Sequence, residues 1–310
     1  MGGFGRVAGL VIVGALAIGP ASLAQPAPPS LQPAQIALAD QFDIPSRITG
    51  RTYRIYVSRP AAPPPKSGYP VVYVLDGDTS FPVVARQLRG PPVLVVGIAY
   101  PDSARSGVLR LRDLTPAQPN ANTLPMAGEG KVPDDFGGAD AFHRFMMEEL
   151  RPAIARLRPV DASRQSLIGY SLGGLFALHV MFNHPEAYQG LVISSPSIWW
   201  NDREVLKDEA RFTAAVRTGH AAPRILITSD QWEQGDGDPN LPPPGPDRVQ
   251  RMKLLDYARM VDNAGELAAR LKALKGGSGY EVKYSVFAEE SHGTGTAAAA
   301  SRGANFLYPH

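Results

Sequence analysis

Apolar residues along the chain fall into short runs and helical repeats that alternate from the middle of the sequence onward. Arg51 to Ser58 alternates, with Tyr53, Ile55 and Val57 on one side, and predicts a half-buried strand. Val71 to Leu75 and Val93 to Ile98 are instead continuously apolar, the pattern of strands buried on both faces of a largely parallel sheet. Ser166 to Gly169, Leu191 to Ser194 and Ile225 to Thr228 are shorter strands, and Glu281 to Phe287 is a last alternating one. Asp140 reads as a helix N-cap followed at helical spacing by Phe142, Phe145, Met146 and Leu150, with Pro152 kinking or ending that helix. Leu172 to Asn183 predicts a helix stopped by Pro185, Val249 to Leu274 one stopped by Gly276 and Gly277, and Ala297 to Phe306 a closing one. Ala117 to Asp135 and Gly235 to Pro246 are rich in Pro, Gly and polar residues and predict loops. This order predicts an α/β fold, a mostly parallel central sheet with helices on both faces.

Composition narrows the picture. The 310 residues are 44% apolar and 19% charged, which supports a sizeable core in a single domain, expected over residues 51–308. A formal net charge of +2 and the lack of a long Lys/Arg run give no reason to expect nucleic acid as a partner. No cysteine is present, so disulfides, thiolate catalysis and thiolate-bound zinc are excluded. Arg6, the apolar stretch Val7 to Ile18 and the small-x-small triplet Ser22-Leu23-Ala24 have the layout of a signal peptide over residues 1–24, cleaved before Gln25. The apolar stretch is short for a spanning helix. The expectation is therefore export, to the periplasm in a Gram-negative source, with no stable membrane insertion after cleavage. Residues 25–50 begin Pro-rich and read as a linker or extension.

Candidate chemistry centres on Gly169-Tyr170-Ser171-Leu172-Gly173, a G-x-S-x-G string with an apolar strand before it and a helical run after it. That strand-turn-helix setting is what a nucleophile elbow requires. The turn presents the Ser171 hydroxyl beyond the sheet edge, and the flanking glycines are expected to avoid collisions there. The helix N-terminus beneath the serine favours developing negative charge, and the Leu172 amide is a candidate oxyanion donor. A serine hydroxyl needs a base, and the base an orienting group. His292, just after the last predicted strand, is the candidate base. Asp230 and Glu233 follow the Ile225 to Thr228 strand closely, with Asp236 and Asp238 slightly beyond. Glu233 is favoured as the acid over Asp230, and a Ser-His dyad without an acid is the alternative.

Several segments together resemble the putative-esterase group of α/β hydrolases, which includes the enterochelin (siderophore) esterases and esterase D. They are Tyr69-Pro70-Val71-Val72-Tyr73-Val74-Leu75-Asp76-Gly77-Asp78, Arg110-Leu111-Arg112-Asp113-Leu114-Thr115-Pro116, Gly137-Gly138-Ala139-Asp140, Ser194-Ser195-Pro196-Ser197-Ile198-Trp199-Trp200 and Ser291-His292-Gly293. The resemblance implies an α/β-hydrolase fold and ester hydrolysis through an acyl-enzyme, with Ser171 as nucleophile, His292 as base and Glu233 as acid. It implies a second oxyanion amide from Gly77 or Asp78, and substrate contacts from Trp199, Trp200 and Arg112. The aromatic pair suits a catecholate siderophore ester. A feruloyl or acetyl sugar ester is an alternative substrate, and an exported acyltransferase an alternative activity. The partner expected is a small-molecule ester, and neither cofactor nor metal is called for.

Overall fold

The computed structural model describes residues 1–3, 39–102, 105–123 and 136–309. The residues read as a signal peptide lie outside these from residue 4 onward, as do 124–135 of the predicted long loop. The chain divides into two compact units, Met1–Gln35 and Ile36–His310, and every described strand and helix belongs to the second.

Eight strands form one sheet in the order β1-β2-β4-β3-β5-β6-β7-β8. They are β1 (Ala39–Pro45), β2 (Thr52–Ser58), β3 (Tyr69–Val74), β4 (Leu94–Ala99), β5 (Val160–Tyr170), β6 (Gly190–Ser194), β7 (Arg224–Asp230) and β8 (Glu281–Phe287). β2 runs antiparallel to both β1 and β4, and the six strands from β4 to β8 are parallel. The continuous apolar runs follow from burial on two sides. In β3, Val71 and Tyr73 enter one core cluster while Val72 and Val74 enter the other. Gly97 of β4 leaves room for Phe81, whose Cβ would lie 2.7 Å from any Cβ placed at Gly97.

Helices α1 (Gly77–Gln87) and α9 (Gly295–Leu307) cover one face, packing Phe81, Val84, Ala300 and Ala304 on Val74, Val95 and Val192. The other face carries α3 (Ala139–Phe145), α4 (Arg151–Leu157), α5 (Leu172–Asn183), α6 (Glu209–Arg217) and α8 (Met260–Lys272). α2 (Ser106–Leu114) and α7 (Pro246–Ala258) lie toward the carboxyl ends of the strands, where both contribute to a cleft. This is an α/β-hydrolase fold.

Several expectations change. Residues 25–50, read as a linker, contain β1, an edge strand bound to β2 by its ladder and by cross-strand pairs Asp43–Arg54 and Asp40–Arg59. Pro152 does not end its helix. It follows a π-helical turn, Met146–Leu150, and takes an early position in α4; the wider turn accommodates the amide that proline lacks. Asp140 lies inside α3 after Gly138, and its carboxylate meets His179 Nε2 at 2.7 Å. The single helix expected over Val249 to Leu274 is two, broken where Arg259 turns left-handed at φ 43°. After β3 the chain turns at Asp76 (φ 49°) and enters α1 at once.

Candidate active site

The elbow is built by close packing. Ser171 sits at φ 60° and ψ −118° between β5 and α5, a conformation that L-residues rarely adopt. Its amide donates to Ser194 O at 3.0 Å, and Ser197 N donates to Ser171 O at 3.1 Å, so the neighbouring strand's loop holds the strained turn. A Cβ at Gly169 would lie 2.1 Å from Gly173 O, and one at Gly174 2.9 Å from both Ser194 O and the Pro196 Cα. At Gly173 the nearest contact would be an ordinary 3.4 Å. The crowded partner of Gly169 is therefore Gly174, the glycine after the five-residue string, rather than Gly173. Residues Leu172 to Phe182 of α5 are all buried, which fixes the platform beneath the serine. The Leu172 amide opens that helix, where it has no intrahelical acceptor.

Ser171 Oγ lies 2.9 Å from His292 Nε2, and His292 Nδ1 lies 2.5 Å from Glu233 Oε1. His292 comes from the loop between β8 and α9, and Glu233 from a 3-10 turn (Gln231–Glu233) at the tip of β7. The two segments are laced together: Trp232 N donates to Glu290 O at 2.9 Å, and Glu289 N donates to the Gln231 side chain at 2.9 Å. The Glu233 side chain is 1% exposed and the His292 side chain 42%, so a buried carboxylate orients an imidazole that opens on solvent. Glu233 Oε2 also accepts from the Asp230 amide at 2.9 Å and from the Ser195 hydroxyl at 3.0 Å.

Asp230, the other candidate acid, lies behind Glu233 and is fully buried. Its Oδ2 stands 2.5 Å from the Tyr170 hydroxyl and 3.2 Å from Ser195 Oγ; the same Tyr170 hydroxyl lies 2.9 Å from the His292 carbonyl. Burial, and secondly the charge of Glu233, push the Asp230 carboxyl up to about 6. Burial likewise pushes the Tyr170 phenol far up, so it stays protonated. Asp236 and Asp238 are outside this cluster, beyond the 3-10 turn.

A cleft of about 410 Å³ opens over Ser171 and His292, lined among others by Arg110, Trp199, Arg251 and Leu254. Trp199 is half-buried there. Trp200 reaches the same wall but is 1% exposed, donates its indole N–H to Ala117 O at 3.2 Å and packs on Phe136. Arg112 does not line the cleft. Two residues apart on α2, Arg110 and Arg112 point about 200° apart, so Arg110 faces the cleft while Arg112 packs toward Gly138. The Arg110 guanidinium makes a two-pronged pair with Asp76, both contacts at 2.8 Å. Arg251, from α7, makes no hydrogen bond or ion pair with any of the described residues. Asp78 is exposed on the first turn of α1 and is not among the lining residues. Sequence reasoning missed Tyr170, Ser195, Arg110 and Arg251. Tyr170 and Ser195 stood inside recognisable motifs, but nothing in one sequence shows that a strand tip two places away will carry a second carboxyl. Among the described residues no group of three or more His, Asp or Glu side chains is arranged to hold a metal ion.

A family profile described as "Putative esterase" matches residues 46–258. The chain is 34% identical over 258 residues to the ferri-bacillibactin esterase BesA of Bacillus subtilis, covering 80% of this chain and 81% of the relative. It is 32% identical over 258 residues to a siderophore enterobactin esterase of Emericella nidulans, covering 76% of this chain and 81% of the relative. The crystal structure of the BES protein from Bacillus cereus superposes with a TM-score of 0.75 at 30% identity, over 90% of this chain and 98% of that one.

Proposed function

The chain belongs to the putative-esterase family and is an ester hydrolase, and from that premise we propose that Ser171, His292 and Glu233 hydrolyse a siderophore ester through an acyl-enzyme. The observation that carries this is the unbroken line from Glu233 through His292 to Ser171 Oγ at the floor of an open cleft. His292 Nε2 takes the Ser171 proton as Oγ bonds to the ester carbonyl carbon, and the carbonyl oxygen becomes an oxyanion received by the Leu172 amide. Collapse of this intermediate breaks the carbon–alkoxide bond, and His292 returns the proton to the leaving alcohol. Water, activated by the same imidazole, repeats the sequence on the acyl-enzyme and frees the acid.

The substrate class rests on the cleft and on the relatives, two of which are named for ferri-bacillibactin and enterobactin. Trp199 offers an aromatic face, and Arg251 a positive charge without an ion pair among the described residues, for an aryl acid that is anionic or chelates iron(III). Purified Ser171→Ala is expected to lose turnover on the order of 10⁴- to 10⁶-fold. A variant that still turns over a catecholate siderophore ester at the wild-type rate would sink the assignment. Residues 51–308 constitute the catalytic domain in this reading, and β1 (Ala39–Pro45), which precedes them in the chain, adds the edge strand to its sheet. The pattern of Arg6, Val7 to Ile18 and Ser22-Leu23-Ala24 supports export to the periplasm. N-terminal sequencing of protein from a periplasmic extract should begin at Gln25; an intact Met1 would refute cleavage. Among the described residues no helix is long and apolar enough to cross a membrane.

A further inference from the structure

Two carboxyls stand at the tip of β7, and the mechanism uses one. The second, Asp230, is in a network whose protons can be counted. The Tyr170 hydroxyl has one hydrogen but lies within hydrogen-bond distance of two oxygens, Asp230 Oδ2 at 2.5 Å and the His292 carbonyl at 2.9 Å. The His292 carbonyl only accepts, so for both contacts to be hydrogen bonds the Tyr170 hydrogen goes to His292 and Asp230 supplies a proton of its own. The Ser195 hydroxyl then donates to Glu233 Oε2, the nearer of its two acceptors at 3.0 Å. The Asp230 side chain also accepts from the backbone amide of Glu233 across the 3-10 turn, while its Oδ1 is buried without a hydrogen-bond partner among the described residues. It lies against the Cα of Gly295, where a Cβ would come within 2.2 Å, and the Gly295 amide donates instead to Ser291 O. A bare carbonyl oxygen is tolerable there, whereas a bare carboxylate oxygen is far more costly.

We propose that Asp230, in its carboxylic-acid form, donates to Tyr170 and so pins the backbone of His292, keeping its imidazole in line with Ser171. The chain of donors runs Asp230 Oδ2–H to Tyr170 Oη–H to His292 C=O. Asp230 and Tyr170 are positioning residues, acting on the substrate only through His292. The titratable groups facing Asp230 are Glu233 on the 3-10 turn, Tyr170 at the end of β5 and His292 on its loop; β6 contributes Ser195, β8 places Phe287 opposite, and the first turn of α9 has no acidic residue. Burial, and then the ionised Glu233 beside it, oppose a second negative charge at Asp230 and raise its carboxyl to about 6, so the acid form is the majority species below that pH.

The inference rests on Ser171 and His292 being the reacting pair, and the test separates the two. Tyr170→Phe and Asp230→Ala should each lower kcat about 10- to 100-fold with KM nearly unmoved, the size of effect that a misplacement of about 1 Å produces. The double variant should be within about twofold of the worse single one, since both break one chain. Asp230→Asn, whose amide can donate to Tyr170 Oη, should recover kcat at least about tenfold over Asp230→Ala. The wild-type kcat should fall on the alkaline side as Asp230 ionises, and that limb should be missing in Asp230→Asn. Melting temperatures of all four variants distinguish lost positioning from lost folding. Additive single effects, wild-type kcat in Asp230→Ala, or the same alkaline limb in Asp230→Asn would overturn the proposal. If Ser171→Ala also remained active, the fault would lie with the site itself.

Discussion

At the scale of the residue, the site is a case of neighbouring carboxyls driven apart by their surroundings. Glu233 has the imidazole of His292, an amide and a hydroxyl as partners, whereas Asp230, though it meets Tyr170, Ser195 and the Glu233 amide, is fully buried, has one bare oxygen and stands beside a negative neighbour. Its raised folded value, about 6 against about 3.9 in an unfolded chain, means that folding favours the protonated form. The stability Asp230 contributes is thus whole below about pH 4 and is lost as pH climbs through about 6. Asp230→Asn has nothing to ionise, so its melting temperature should gain on that of the wild type between about pH 4 and pH 7. Thermal melts at half-unit steps would show it, and a constant offset across that range would argue against the sign. Choosing Glu233 over Asp230 was possible in sequence only as a preference. Both follow the same strand within three residues, and what separates them is which one a 3-10 turn swings toward His292.

At the scale of the element, legibility followed local chemistry. β3 and β4 were plain because they are apolar on both faces, and the elbow because its glycines face specific backbone atoms. β5 proved longer than its apolar part: its first six residues mix Val160 and Ala162 with four polar ones and are exposed at Ala162, Ser163 and Arg164, so periodicity could not find them. The break between α7 and α8 was hidden because it falls at an arginine, Arg259, which gives no sign in the sequence of turning left-handed. α2 was not recognised as a helix, and without a helix Arg110 and Arg112 cannot be told apart. α7 itself buries only Leu255 and Ala258, whereas α8 buries six residues, so α7 is a lightly held cover that presents Arg251 to the cleft. Arg251→Gln should raise KM for an anionic aryl ester about 3- to 10-fold and flatten its dependence on ionic strength. Lys253→Gln, exposed on the same helix and outside the cleft lining, serves as the control. Equal responses from both variants would mean that only the net charge of α7 matters.

At the scale of the whole molecule, the sheet order brings the carboxyl ends of β5, β6, β7 and β8 side by side, and each supplies one part of the site: Ser171, the Ser194 to Ser197 loop, Glu233 and His292. Their mountings differ. Ser171 heads a helix sealed within the core, while Glu233 and His292 hang from a three-residue turn and a loop on the outermost pair of strands. Border regions of this kind open at lower free energy than the centre. Heating should therefore unseat the acid and base while the serine's scaffold is still intact. Residual hydrolysis, followed during a temperature ramp, should disappear several degrees before far-ultraviolet ellipticity does, and should return on cooling from that interval. The nucleophile would wait in place, silent, for its partners to come back.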